Sequence, residues 1–173
     1  MGDEWENPTG GGPVNFKGRD VVNALFALDI GARVRRTSNQ SIPTSAFTAI
    51  IFDLAGVYYD TDAMWSAVNP TQLAIQTPGK YCAKGDANFD SSALGSRILG
   101  IRINGGNFIA LDSDPAVTSA LIGTALNPST EFDFVAGDYI ELVAWQNTGV
   151  ALDILSTADY SPVLTARKVD RAG

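Results

Sequence analysis

The run YYDTDAMWSAVNP, Tyr58 to Pro70, gathers two tyrosines, a tryptophan, a methionine and two aspartates into thirteen residues. Aromatic rings interleaved with carboxylates suit several chemistries. Tyr58, Tyr59 and Trp65 could form a ligand loop that stacks against sugar rings. Asp60 and Asp62 could act as an acid pair or hold a cation, although glycosidase geometry cannot be judged from their spacing alone. The same residues could equally be a loop that crosses a β-sheet core with its rings packed over the sheet.

Other candidates are sparser. LDSDPAV, Leu111 to Val117, places Asp112 and Asp114 at alternate positions, which offers oxygen ligands but no EF-hand spacing; an Asp-Pro turn is the alternative. Cys82 is the only cysteine, so neither an internal disulfide nor a thiolate zinc site can form; within GKYCAKG it reads as a small buried residue of a strand. Histidine is absent, which removes Ser-His-Asp and Cys-His nucleophiles and imidazole metal ligation. No catalytic or metal-binding set emerges, no cofactor is implied, and a non-enzymatic protein is expected. Arg33, Arg35 and Arg36 could pair with acidic groups on a partner, and ARKVDRAG makes a small basic cluster at the tail.

The elements that must position these residues are β-rich. The 173 residues suit one domain, and a chain of this size buries roughly two-thirds of the surface its unfolded form exposes. Hydrophobic residues make up 45% and charged residues only 18%, with 17 glycines, a balance that fits many strands and turns. The net charge of -7 argues against nucleic acid and against anionic membrane surfaces as partners, and no run of 18 apolar residues offers a membrane span.

The first thirty residues differ from the rest. ENPTGGGP is a cluster of chain breakers, and GRDVVNALFALDIG follows it. There Asp20 caps an expected short helix with Val21, Leu25 and Leu28 on one face and Gly31 as its stop. From Ala32 onward the period is two. FTAIIFD (Phe47 to Asp53), TQLAIQTPG, KYCAKGDANF, SRILGIRING, TEFDFVAGDYIELVAWQN, ALDIL and SPVLTARKV read as strands. In SRILGIRING, Leu99, Ile101 and Ile103 share one face and Ile98, Gly100 and Arg102 the other. Asn104-Gly105 between two apolar runs predicts a type I′ hairpin. Ile140, Leu142 and Ala144 alternate with Tyr139, Glu141, Val143 and Trp145. Some eight to ten short antiparallel strands, about ten residues apart, predict an all-β sandwich or jelly roll.

GARV, QSIP, TAIIFD, YDTDAMW, NPTQLAI, PGKY, RILGIRINGG and AGDYIELVAWQNTGVALDI, in that order, resemble the C1q/TNF-like jelly-roll module, in the version found in structural proteins of tailed bacteriophages. The resemblance spans about Gly31 to Leu155. It implies a ten-stranded jelly roll packed as a homotrimer, with alternate residues of the Tyr139 to Trp145 strand facing the three-fold axis. Tyr139, Val143 and Trp145 are also unusually apolar for a solvent face, as interface residues are. The domain organisation expected is an N-terminal anchoring arm at 1–30, gripping through Trp5, Phe16, Val21, Leu25 and Leu28, and a jelly-roll domain at 31–173. The module often follows a fibre or stalk; an arm of about thirty residues could anchor a trimer to a lattice instead. The function implied is a structural virion protein. It is expected on the capsid exterior as a decoration (cement) protein bound to the major capsid protein, or on the tail as a receptor-binding minor tail or fibre protein that recognises host glycans.

Overall fold

The computed structural model describes residues 29–116, 123–157 and 160–169. Its architecture follows from alternation. In GKYCAKGDANF, Tyr81, Ala83, Gly85, Ala87 and Phe89 turn inward while Cys82, Lys84 and Asp86 turn outward. The small residues in the middle of this strand let the opposite sheet approach closely, and the space beside Gly85 is filled by Leu142. Bulky Tyr81 and Phe89 close the two ends and are fully buried. Removing a core side chain such as Leu142 would cost about 2–5 kcal/mol.

Thirteen strands form among the described residues. They are β1 (Gly31–Arg35), β2 (Gln40–Ile42), β3 (Thr48–Ala49), β4 (Val57–Asp60), β5 (Gln72–Ala74), β6 (Gly79–Phe89), β7 (Ser96–Ile103), β8 (Phe108–Pro115), β9 (Thr124–Leu126), β10 (Ser129–Phe134), β11 (Tyr139–Gln146), β12 (Leu152–Ile154) and β13 (Val163–Lys168). The count exceeds the expected eight to ten because several strands are only two to four residues long.

Two antiparallel sheets face each other. The eight-stranded sheet runs β2-β12-β6-β13-β1-β4, with β9 and β10 also paired to β6. The five-stranded sheet runs β3-β11-β7-β8, with β5 also paired to β11. Between them lies one core, including Phe52, Leu73, Tyr81, Phe89, Leu99, Ile101, Ile140, Leu142 and Leu164. The buried Gln146 side chain donates its Nε2 to the carbonyls of Ile42 (2.9 Å) and Val150 (2.8 Å), and its Oε1 accepts from the Thr148 amide (2.7 Å). Every polar atom of that amide is thereby satisfied, as burial demands.

Some expectations hold and others are corrected. Asn104 and Gly105 both have positive φ (50° and 67°), and the Gly106 amide donates to the Ile103 carbonyl, which is the type I′ hairpin between β7 and β8. FTAIIFD forms only the two residues of β3. Beyond it, the Gln40 side chain takes over the ladder: its Nε2 donates to the Ala49 carbonyl and its Oε1 accepts from the Ile51 amide, each at 2.9 Å. β10 and β11 do not pair; the turn between them carries the chain from one sheet to the other. LDSDPAV is largely the end of strand β8 rather than an Asp-Pro turn. The arm residues Trp5, Phe16, Val21, Leu25 and Leu28, with the expected helix, lie outside the described residues. Gly31 itself opens β1.

Candidate functional site

The segment from Tyr58 to Pro70 divides by side chain. Asp60 lies at the end of β4, and its carboxylate accepts two backbone amides, Met64 to Oδ1 at 2.8 Å and Trp65 to Oδ2 at 2.9 Å. Asp62 accepts from the amide and hydroxyl of Thr77, at 3.0 and 3.2 Å. The Thr77 carbonyl in turn accepts from the Tyr81 hydroxyl at 2.7 Å. Both carboxylates therefore fold the loop over the core. Ala63, directly after Asp62, sits at φ 49°, the left-handed region such a tight turn demands. Met64 is buried, and Trp65 is half-buried against the core with its indole nitrogen 3.4 Å from the Pro70 carbonyl.

The two tyrosines take a different side. Arg33 pairs with Tyr59 and Val34 with Val57, so Tyr58 is the extra residue of a bulge in β4. Both tyrosines border hollows on the outer face of the eight-stranded sheet. The Tyr58 ring, 55% exposed, carries the Arg33 guanidinium at 4.9 Å and the Arg35 guanidinium at 5.2 Å from its centroid. The structure thus brings Tyr58 and Tyr59 together with arginines and leaves Trp65 out of the grouping. Arg36 is drawn away as well, donating to the carbonyls of Ile51 (2.9 Å) and Asn39 (3.0 Å).

Sequence reasoning missed the rest of this face. Lys84, Asp86, Thr165 and Arg167 arrive from β6 and β13, and only the register of distant strands places them beside Arg33. Cys82 belongs here too. It is half-exposed on the outer face, opposite Glu131 on one side and Arg167 on the other, which corrects its reading as a core residue.

The outer face of the five-stranded sheet carries Tyr139, Val143 and Trp145, and it corrects one interface expectation. Val143 is 0% exposed within the single chain, so it has no surface to offer a neighbour. Phe47, reaching in from the loop before β3, packs its ring 6.2 Å from Trp145 and 5.3 Å from Phe108. Tyr139 and Trp145 are half-buried there, and Phe47 is 50% exposed. Beside Val143 the nearly buried Glu141 meets Arg102 at 2.7 Å and accepts the Thr71 hydroxyl at 2.8 Å. This partly buried pair was not foreseen either.

One more cation is internal. Arg97 has no exposed surface; its Nη1 donates to the Leu94 carbonyl (2.6 Å) and its Nη2 to the Ser92 carbonyl (2.9 Å). Burial lowers its pKa from the ordinary arginine value. Asp112 accepts the Asn127 amide at 2.8 Å. Among the described residues no group of three or more His, Cys, Asp or Glu side chains is placed to hold a metal ion.

No family model matches the chain, and no curated protein matches it in sequence. Solved structures match it in fold. The Eiger TNF structure from S. frugiperda superposes with a TM-score of 0.57 at 12% identity, covering 84% of this chain and 96% of that one. Murine APRIL gives 0.56 at 10% identity, covering 80% and 99%. The globular domain of zebrafish complement 1qA gives 0.54 at 11% identity, covering 83% and 99%. The sandwich described above is a C1q/TNF-like jelly roll.

Proposed function

We propose that this jelly roll is a non-enzymatic structural protein of a bacteriophage virion, a homotrimer attached by its N-terminal arm to the major capsid protein as a decoration. The observation that carries the non-enzymatic part is the commitment of Asp60 and Asp62 to backbone amides and a threonine hydroxyl. The C1q/TNF-like fold supports a trimeric module, and the ordered segments from GARV to ALDI support the virion setting. In this reading Tyr139 and Trp145, with Phe47, are half-open aromatic contacts for a neighbouring molecule. Three short arms on one trimer multiply weak contacts through effective concentration.

Deletion of residues 1–28 is the test. The expected outcome is a trimer that no longer binds capsids stripped of this protein; a truncated trimer that still decorates them would sink the reading. A second reading, a tail protein that recognises host glycans, is favoured by the exposed Tyr58 ring. It expects Tyr58→Ala to abolish binding to host cells. Gold-labelled antibody spread over heads supports decoration, and label confined to tail tips supports the second reading.

A further inference from the structure

Asn104 is followed by Gly105, and every other asparagine of the chain precedes proline or a residue with a side chain. The turn itself asks for this pair, since both residues stand at positive φ (50° and 67°). The same pair is the one most open to deamidation. A glycine puts no side chain in the way when its nitrogen attacks the amide of the asparagine before it.

In the folded chain both polar atoms of the Asn104 side chain are engaged by the turn between β10 and β11. Its Nδ2 donates to Asp138 Oδ1 at 2.8 Å, and its Oδ1 accepts the Tyr139 amide at 2.9 Å. The backbone adds a third link, from the Asn104 amide to the Tyr139 carbonyl at 3.0 Å. Asp138 is fixed in turn, because its Oδ2 accepts the Val135 amide at 2.9 Å. The Tyr139 hydroxyl lies 3.0 Å from where a Cβ on Gly105 would stand. The β7–β8 hairpin is thus clamped to the turn that carries the chain from one sheet to the other.

The backbone shape blocks the reaction as well. The first central residue of a type I′ turn has ψ of about +30°. That sets the Gly105 nitrogen on the far side of the Cα–C bond from the Asn104 Cβ. Ring closure needs the two on the same side. The turn must therefore open, and both side-chain bonds must break, before the reactive atoms can meet.

We propose that Asn104 is a deamidation site kept silent by the Asp138–Tyr139 clamp, and that an opening of the clamp converts it irreversibly. Nothing in this chemistry depends on the virion reading above. The Gly105 nitrogen bonds to Cγ of Asn104 and closes a succinimide. The Cγ–Nδ2 bond breaks, and Nδ2 leaves as ammonia with the proton given up by the Gly105 amide. Water then opens the ring to an aspartate or, through the other carbonyl, to an isoaspartate. Either product is a carboxylate facing Asp138 where a donor stood, so the Nδ2 bond is lost and like charges meet. The isoaspartate also lengthens the turn by one backbone carbon. A chain that has opened once therefore refolds with a weaker clamp.

Peptide mapping by mass spectrometry reads the loss of ammonia at Asn104 directly, in the full-length chain held in mildly alkaline buffer. In urea the site is expected to react as fast as an unstructured peptide of the same local sequence. In native buffer it is expected to react roughly tenfold more slowly or beyond, since only opened molecules react. Equal rates in the two buffers would overturn the proposal. Asp138→Ala removes the acceptor of Nδ2 and should bring the native rate most of the way to the unfolded one, with circular dichroism as the check on folding. A folded Asp138→Ala chain no faster than wild type would remove the guarding role. If Asp138→Ala does not fold, Asp138→Asn takes its place, because one carbonyl oxygen cannot serve both Asn104 and the Val135 amide. The weakening is read from urea midpoints. Asn104→Asp, the product made directly, should lower the midpoint, and an unchanged midpoint would overturn this half. Adding Asp138→Asn to Asn104→Asp should restore most of the loss, since the amide at 138 then donates to the carboxylate at 104 and still accepts from Val135. A double variant as weak as Asn104→Asp alone would show that the clamp is not what deamidation breaks.

Discussion

The outer faces of the two sheets start from the same strand alternation and end in opposite states. On the five-stranded face the outward residues of β11 are nearly all covered by their own chain: Val143 and Glu141 are buried, and Trp145 lies under Phe47. On the eight-stranded face the outward residues of β6 and β13, apart from the buried Val163, stay half-open or exposed, and they are mostly charged or polar. The difference lies in what the neighbouring loops supply. A loop ending in Phe47 brings a ring over one sheet, while the bulged β4 brings two tyrosines to the rim of the other. An outward-facing residue is thus not the same as an exposed one, and a lid can come from a segment nearly a hundred residues away.

Substitutions can break this contrast, and the largest effect is expected at Val143. Val143→Asp sets an unpaired charge at a fully buried position and should cost about 4 kcal/mol of folding stability, read from urea midpoints at one dilute protein concentration. A loss below 1 kcal/mol would mean that the face is open. Glu141→Ala leaves Arg102 beside an empty pocket and deprives the Thr71 hydroxyl of its acceptor; about 3 kcal/mol is expected by the same measurement. Phe47→Ala removes half-buried aromatic surface and should cost about 1.5 kcal/mol. It should also raise the protection-limited exchange rate of the Val143 amide, a change a mere surface ring would not produce. On the opposite face Lys84→Ala loses one solvent-exposed ion pair and should move stability by less than about 0.5 kcal/mol. If Lys84→Ala matched Phe47→Ala, the two faces would not differ in the way described.

The parts of the fold that could be read in advance are those fixed by short-range rules. The alternation of Leu99 and Ile101 against Ile98 and Arg102 placed β7 correctly, and Asn104-Gly105 placed its hairpin. FTAIIFD misled because its apolar run looks like a strand, yet beyond β3 its partners are scattered, with the Gln40 side chain serving Ala49 and Ile51 and the Pro70 carbonyl serving Phe52. The crossing between β10 and β11 was equally hidden, since a turn at Gly137 looks the same whether it joins one sheet or two. In the candidate site, Tyr58 and Arg33 were both visible as residues, but their meeting depends on a bulge and on strands far apart in sequence. Lys84 and Arg167 entered only through the β6–β13 register. Asp60 is the exception, since its acceptor role toward the amides of Met64 and Trp65, four and five residues on, is local and a carboxylate-closed loop could have been proposed from YDTDAMW.

The pairing of β1 with β13 has a consequence for how the chain acquires its shape. Gly31 is opposite Arg167, and β1 also carries β4 at the margin of the sheet. On the ribosome β1 leaves the exit well before β13, which is the last of the described strands to follow. Until then β1 and β4 form a detached two-stranded ribbon, and β6 shows an unpaired edge to solvent. Closing so long a loop is slow, which leaves time for that edge to capture another nascent chain. Production of this protein should therefore favour slow translation and low temperature, with aggregation set by the moment of release and less by the stability of the finished sandwich.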